Sequence, residues 1–217
     1  MVNTALQRRN MVESQIRPSD VTDRRITAAM TTVPREAFLP TKLSALAYSD
    51  ESLPIAPGRE ILPPRVLAKL IQLCESDSND NVLVISETGY AAALVAQLAE
   101  KVVALLPNEE SVTSAREALS ASGVANVVPV GGPAPSGWAA NAPYDVVLVE
   151  GGVEQVPEGL KSQIRESGRL VAIATNDGIG RAVELHRRGD IFARREGFQA
   201  AAIPLAGFTA TRPAFVF

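Results

Sequence analysis

The chain has 217 residues, 46% hydrophobic and 21% charged, with 21 Lys+Arg against 24 Asp+Glu for a net charge of −3. This balance excludes an electrostatically driven nucleic-acid binder, which needs a basic surface to displace counterions. No apolar run approaches the ~20 residues of a membrane span, and a single Cys74 with a single His186 supports neither a disulfide framework nor a zinc set.

The N-terminal residues Met1 to Arg9 lack the apolar core of a signal peptide, so a cytoplasmic protein is expected, and the single Cys and His lead to the expectation of no metal. Residues 3 to about 46 read as helical, with Met11, Ile16, Val21, Ile26, Met30 and Val33 at broadly helical spacing. Pro18 and Pro34 break that run, and Asp20 and Thr22 stand where N-caps belong. Residues 49–64 hold Pro54, Pro57, Gly58, Pro63 and Pro64, which predicts a long loop over a pocket. Pro64 then opens a helix at a first-turn position.

From Asn81 short apolar runs alternate with helical stretches. Val82-Leu83-Val84-Ile85 is followed by Gly89 and a helix over 91–100; Val102 to Leu106 is a strand, and 109–120 a helix. Further strands are predicted at 127–130, 145–149 and 169–173, with a helix over 158–166. Strands apolar on both faces and alternating with helices read as a doubly wound, mostly parallel α/β sheet, with its ligand crevice at the carboxyl ends. After Gly180, Ala182, Glu184 and His186 alternate with Val183 and Leu185, and Arg188-Gly189-Asp190 makes a turn. This predicts an antiparallel edge hairpin with one charged face, His186 on the surface, and the tail 208–217 as a buried last strand. One domain is expected: a helical extension and pocket loop over 1–78, a Rossmann-like core over 79–174, and the hairpin and tail over 175–217.

Several motifs are more specific. Val12-Glu13-Ser14-Gln15-Ile16-Arg17, Val33-Pro34-Arg35-Glu36-Ala37-Phe38-Leu39-Pro40 and Ala47-Tyr48-Ser49-Asp50 come first. Leu53-Pro54-Ile55, Pro143-Tyr144-Asp145, Val156-Pro157-Glu158 and Gly168-Arg169-Leu170-Val171 follow in one register. In this order and spacing they resemble the protein-L-isoaspartate O-methyltransferase family, over residues 11 to about 175. The resemblance implies a seven-stranded class I methyltransferase fold, S-adenosylmethionine as cofactor, and isoaspartyl-containing peptides as partners. The implied reaction is methyl transfer to a carboxylate, which needs positioning more than acid or base help.

The departures from the family fall on the residues that the resemblance assigns to the site. The family's acidic residue and three-glycine loop are replaced by Ser86-Glu87-Thr88-Gly89, one residue shorter. Glu87 brings a negative charge near the implied methionine carboxylate. The acid that takes the ribose hydroxyls aligns with Leu106, leaving Glu109 nearby in a first helical turn. The aspartate for the adenine amino group aligns with Gly132 in Val130-Gly131-Gly132-Pro133. On the substrate side the active-site serine aligns with Leu62, in Glu60-Ile61-Leu62-Pro63-Pro64. The threonine after the fourth strand becomes Glu150, before Gly151-Gly152, and an arginine near the C terminus aligns about Ala201.

Two lost charged hydrogen bonds at roughly 1.5–3 kcal/mol each predict a cofactor affinity about a hundred- to ten-thousand-fold weaker. The expectation is a scaffold with a degenerate cofactor site and a binding or regulatory role toward an unknown protein. The alternative is an active carboxyl methyltransferase with rebuilt contacts, acting on isoaspartyl residues or a changed acceptor. The residues also have simpler readings. Gly89 makes a tight turn, Glu87 and Glu150 are solvated loop acids or else a new cation or amine site, and Trp138 packs under the loop after the third strand. Cys74 is an inert, partly buried thiol.

Overall fold

The computed structural model describes residues 3–176 and 179–210. Helix α1 (Thr4–Met11) starts at Asn3, whose side chain accepts from the Leu6 N–H, and runs through a π-turn at Val12–Ile16 into a 3-10 turn at Arg17–Ser19, where Pro18 falls. Helix α2 (Arg24–Thr32) is capped by Asp23, which accepts from Arg25 N–H at 2.8 Å, not by Asp20 or Thr22. Asp20 lies in the left-handed region at φ 61, and the Thr22 N–H donates to Gln72 Oε1 at 2.7 Å. The helix ends at Val33, which is extended, as the residue before a proline tends to be.

The stretch 49–64 is not all loop. It contains β1 (Leu53–Ala56) and β2 (Arg59–Ile61), an antiparallel hairpin turned at Gly58 with φ 69. Prolines hid these strands from the sequence pattern, but Pro54 is tolerated because both strands of a two-stranded pair are edges and the register shifts beside it. Helix α3 (Pro64–Cys74) follows with proline in its first turn, and Cys74 is fully buried, its thiol pKa pushed up by burial.

The main sheet contains β3 (Asn81–Ile85), β4 (Lys101–Leu106), β5 (Val127–Gly131), β6 (Tyr144–Val153), β7 (Ile164–Asn176), β8 (Ile179–Arg188) and β9 (Ile191–Gln199), in the order β5-β4-β3-β6-β7-β8-β9. Pairing is parallel from β5 to β7 and antiparallel beyond. Val82 and Val84 point into one apolar layer, with α3 and α4 (Tyr90–Val95), while Leu83 and Ile85 point into the other. Both faces of these strands are therefore covered, which is why they read as unbroken apolar runs. Helix α5 (Glu109–Ala121) matches its expected span, but α4 is shorter than expected, and α6 (Glu158–Lys161) stops early because Ile164 already pairs with Tyr144 at the start of β7.

The chain leaves β3 toward β4 on one side and reaches β6 on the other, so the strand order reverses between β3 and β6. That reversal is the topological switch point at which open α/β sheets hold ligands. The edge hairpin β8–β9 forms as expected, with Gly189 at φ 61 in its turn. Its supposed charged face is not solvated: Ala182 and Glu184 are buried, and half-buried His186 places Nε2 3.0 Å from Glu184 Oε2. The apolar layer shared with α3 covers that face at Ala182. The expected last strand over 208–217 is not borne out where it is described: Phe208 is buried, but 208–210 form no strand, and 211–217 lie outside the described residues.

Candidate functional site

A cavity of ≈ 330 Å³ opens beside the carboxyl ends of β3, β4 and β5. Its walls include Ile85, Ser86, Leu105, Leu106, Gly132 and Leu205. A second cavity, ≈ 510 Å³, lies between α5, the β1–β2 hairpin and the turn at Arg35–Phe38. Glu87 lines both, so it stands where they meet.

Glu87 is not a solvated loop acid. It is 7% exposed, and its Oε2 lies 2.5 Å from both Nε and Nη2 of Arg59. The neighbouring Ser86 hydroxyl donates to the Thr88 carbonyl, and Thr88 Oγ1 accepts from the Tyr90 N–H, so the shortened loop is held by its own side chains. Gly89 has an ordinary φ of −79, so no unusual backbone demands it. A Cβ there would meet Ala115 Cβ at 2.9 Å and Phe38 at 3.4 Å, so glycine is required for close packing of α4 on α5.

Glu150 lies within β6 and is 3% exposed. Burial pushes its pKa up to about 8, the Arg35 charge lowers it, and Glu87 raises it. At neutral pH it is therefore held as the neutral acid. Arg35 is fully buried: Nη2 donates to the Leu62 carbonyl at 2.7 Å, and the guanidinium carbon lies 5.1 Å from the Tyr90 ring centroid. Both Glu150 carboxyl oxygens, Arg35 Nε and Nη1, and the Tyr90 hydroxyl take no hydrogen bond among the described residues.

On the β4–β5 side the residues that the resemblance aligns with family acids sit in apolar surroundings. Leu106 is 1% exposed and packs with Val112 and Ala115 beneath α5. Its register partner is Gly131, and a Cβ on Gly131 would meet Glu109 Oε1 at 2.8 Å. The exposed Glu109 carboxylate thus lies against Gly131, on the strand next to Leu106. Gly132 donates its N–H to the Leu106 carbonyl at 3.0 Å, and Trp138 packs 3.7 Å from where its Cβ would be, beneath the loop after β5 as expected.

The residues that the resemblance places on the substrate side are drawn into the core. Ile61, Leu62 and Pro64 are buried, and Leu62 presents its carbonyl to Arg35 while its side chain is enclosed. Gly151 and Gly152 make room for a strap: a Cβ on Gly151 would meet Leu205 Cγ at 2.6 Å, and one on Gly152 the Ile203 carbonyl at 2.8 Å. Ile203 and Leu205 bond to Gly152 in a parallel bridge, and Glu60 Oε1 accepts from the Ile203 N–H. Ala201, on the approach to this strap, is exposed.

Sequence reasoning missed Arg35, Arg59 and the strap. Arg35 sits inside a quoted motif without a role, and Arg59 falls in a stretch read as loop. Only the pairing of an unusual acid with a nearby unusual base could have signalled the Arg59–Glu87 contact. No group of His, Cys, Asp and Glu able to hold a metal occurs among the described residues, and no described helix is long and apolar enough to cross a membrane.

A seven-stranded sheet in this order, antiparallel only at one edge and with its crevice at the switch point, is the class I methyltransferase fold. The family model for protein-L-isoaspartate(D-aspartate) O-methyltransferase matches residues 6–207. A protein-L-isoaspartate O-methyltransferase from Rhodopseudomonas palustris (strain HaA2) is 39% identical over 185 residues, covering 84% of this chain and 76% of that protein. One from Herpetosiphon aurantiacus is 33% identical over 202 residues, 93% and 90% of the two chains. The chain belongs to the protein-L-isoaspartate O-methyltransferase family. A solved protein-L-isoaspartate O-methyltransferase shares the fold, with a TM-score of 0.78 at 23% identity over 92% of this chain and 66% of the other. So does a Plasmodium falciparum structure described as a protein-L-isoaspartate O-methyltransferase in complex with S-adenosyl-L-homocysteine, at 0.74 and 15% identity over 91% and 97%.

Proposed function

We propose that the chain is an S-adenosylmethionine-dependent carboxyl methyltransferase acting on isoaspartyl residues through a rebuilt site. The observation that carries this reading is that both new acids are quenched. Glu87 is paired to Arg59, and Glu150 is kept neutral by burial. Neither then repels an anionic amino-acid end or an anionic acceptor, which were the electrostatic objections to activity. The apolar walls of the ≈ 330 Å³ cavity suit the faces of a purine.

When bound, S-adenosylmethionine supplies a methyl group on a sulfonium, so that one C–S bond breaks as one C–O bond forms and no proton moves. The chain's own task is to bind, orient and exclude water. Leu105, Leu106 and the 203–208 strap shield the crevice. Glu109, whose carboxylate lies over Gly131, is the residue we assign to the ribose hydroxyls in place of an acid at 106.

A second reading, a family scaffold that has given up the cofactor and acts by binding, is favoured by Leu106 and Gly132, which offer no side-chain acceptor. Calorimetric titration with S-adenosylmethionine and S-adenosyl-L-homocysteine separates the two, together with ester formation on an isoaspartyl peptide. Low-micromolar binding and transfer to the isoaspartyl but not the aspartyl peptide are expected, with affinity falling several-fold in Glu109→Gln. Silence at millimolar ligand would leave the second reading standing.

A further inference from the structure

We propose that Arg59 and Glu87 form a receptor for a zwitterion, the α-amino-acid end of the cofactor, standing in for the lost glycine loop. This rests on the functional reading above.

The pair is built with spare valence on both sides. Arg59 Nε and Nη2 converge on one oxygen, Glu87 Oε2. Glu87 Oε1 and Arg59 Nη1 take no hydrogen bond among the described residues. An α-ammonium placed on Oε1 and an α-carboxylate placed on Nη1 would close a ring of four alternating charges without parting the existing pair. Opposite charges at contact in a half-buried site attract far more strongly than in water. Arg59 also has the geometry for it, since a guanidinium presents several donors in one plane to a carboxylate.

Position supports the same assignment. Glu87 directly follows the Ser86 that ends the β3 turn, at the switch point, and lines both cavities; Arg59 lines the larger one. A ligand with its nucleoside in the apolar cavity would therefore present its amino-acid end to the pair. The side chains differ in freedom: Glu87 is 7% exposed and Arg59 31%, so the acid is fixed and the base can adjust to the ligand. The simpler alternative is that the pair only latches the β1–β2 hairpin to the end of β3.

Comparing S-adenosyl-L-homocysteine with 5′-methylthioadenosine, which has the nucleoside and no amino acid, distinguishes these roles. The full chain should bind the first at least tenfold more tightly. Arg59→Gln and Glu87→Gln should each weaken S-adenosyl-L-homocysteine about tenfold or more while leaving methylthioadenosine unchanged, with Arg59→Lys recovering part of the loss. Thermal unfolding of each variant checks that it is folded, and Arg59→Lys provides a charge-retaining variant should either glutamine form be unstable. Equal weakening of both ligands would make the pair a latch and overturn the assignment, as would unchanged S-adenosyl-L-homocysteine affinity. If the unaltered protein binds neither ligand, the functional reading fails and this site fails with it.

Discussion

The two sides of the switch point carry opposite chemistry. Toward β4 and β5, positions where the family resemblance implies acids hold Leu106 and Gly132, and Leu106 has been absorbed into the packing under α5. Toward β3 and β6, acids stand at Glu87 and Glu150, yet neither faces water as an unpaired anion. One side is apolar core; the other holds two acids, one paired with a base and one whose charged form burial disfavours. An unusual residue in a crevice therefore has no fixed electrostatic meaning until its neighbours are known, because burial and pairing decide the charge that a ligand meets.

This contrast makes restoring an acid at the first side the harshest perturbation. Leu106→Glu would bury a carboxylate among Val112 and Ala115 with no base beside it, costing about 3–5 kcal/mol. At roughly 2–4 °C per kcal/mol for a chain this long, the melting temperature should fall by about 6–20 °C. The substitution should not improve cofactor binding. A folded Leu106→Glu variant with native melting and tighter binding would show that the cavity Leu106 helps to line, and not the packing under α5, receives the new carboxylate.

Glu150 is the converse case, an acid already buried. Its folded pKa of about 8 lies above the 4.5 of a free glutamate side chain, so the folded state holds the proton more tightly than the unfolded chain. Its contribution is fully present below about pH 4.5 and is lost as pH rises through about 8, up to a few kcal/mol. Glu150→Gln cannot titrate. The variant should therefore gain stability relative to the unaltered protein between pH 6 and pH 9, read as a difference in denaturant midpoint. A pH-independent difference would mean that Glu150 is already ionised beside Arg35.

The sheet was legible because each parallel strand is apolar on both faces, and Val82 to Ile85 can be read without knowing a single contact. The cap at Asp23 and the hairpin at 53–61 were misread for local reasons. Three candidate caps lie within four residues, and prolines disguise a short strand pair. The site was legible only as a set of absences. That Leu106, Leu62 and Gly132 offer no acceptor follows from their side chains alone. That Glu87 meets Arg59 from a separate hairpin, or that Arg35 lies near Glu150 from more than a hundred residues away, depends on tertiary approach that no local pattern encodes.

Gly132 gives the gentlest and most diagnostic way to sharpen the comparison. Unlike Leu106 it is only half-buried, and a Cβ there would sit 3.4 Å from Leu105 Cδ1 and 3.7 Å from Trp138. The nearest neighbour is the tip of a flexible side chain, so Gly132→Asp should fold with little loss. Its N–H is already committed to the Leu106 carbonyl, which holds the backbone while the side chain changes. A charged hydrogen bond is worth roughly 1.5–3 kcal/mol, and partial exposure takes some of that away, so a gain near tenfold is expected for S-adenosyl-L-homocysteine. Methylthioadenosine should gain equally, because the new carboxylate meets the purine and not the amino-acid end. If one ligand tightens without the other, or if neither changes while Gly132→Asp remains folded, then the nucleoside does not sit against β5, and the crevice is used in some orientation other than the family's.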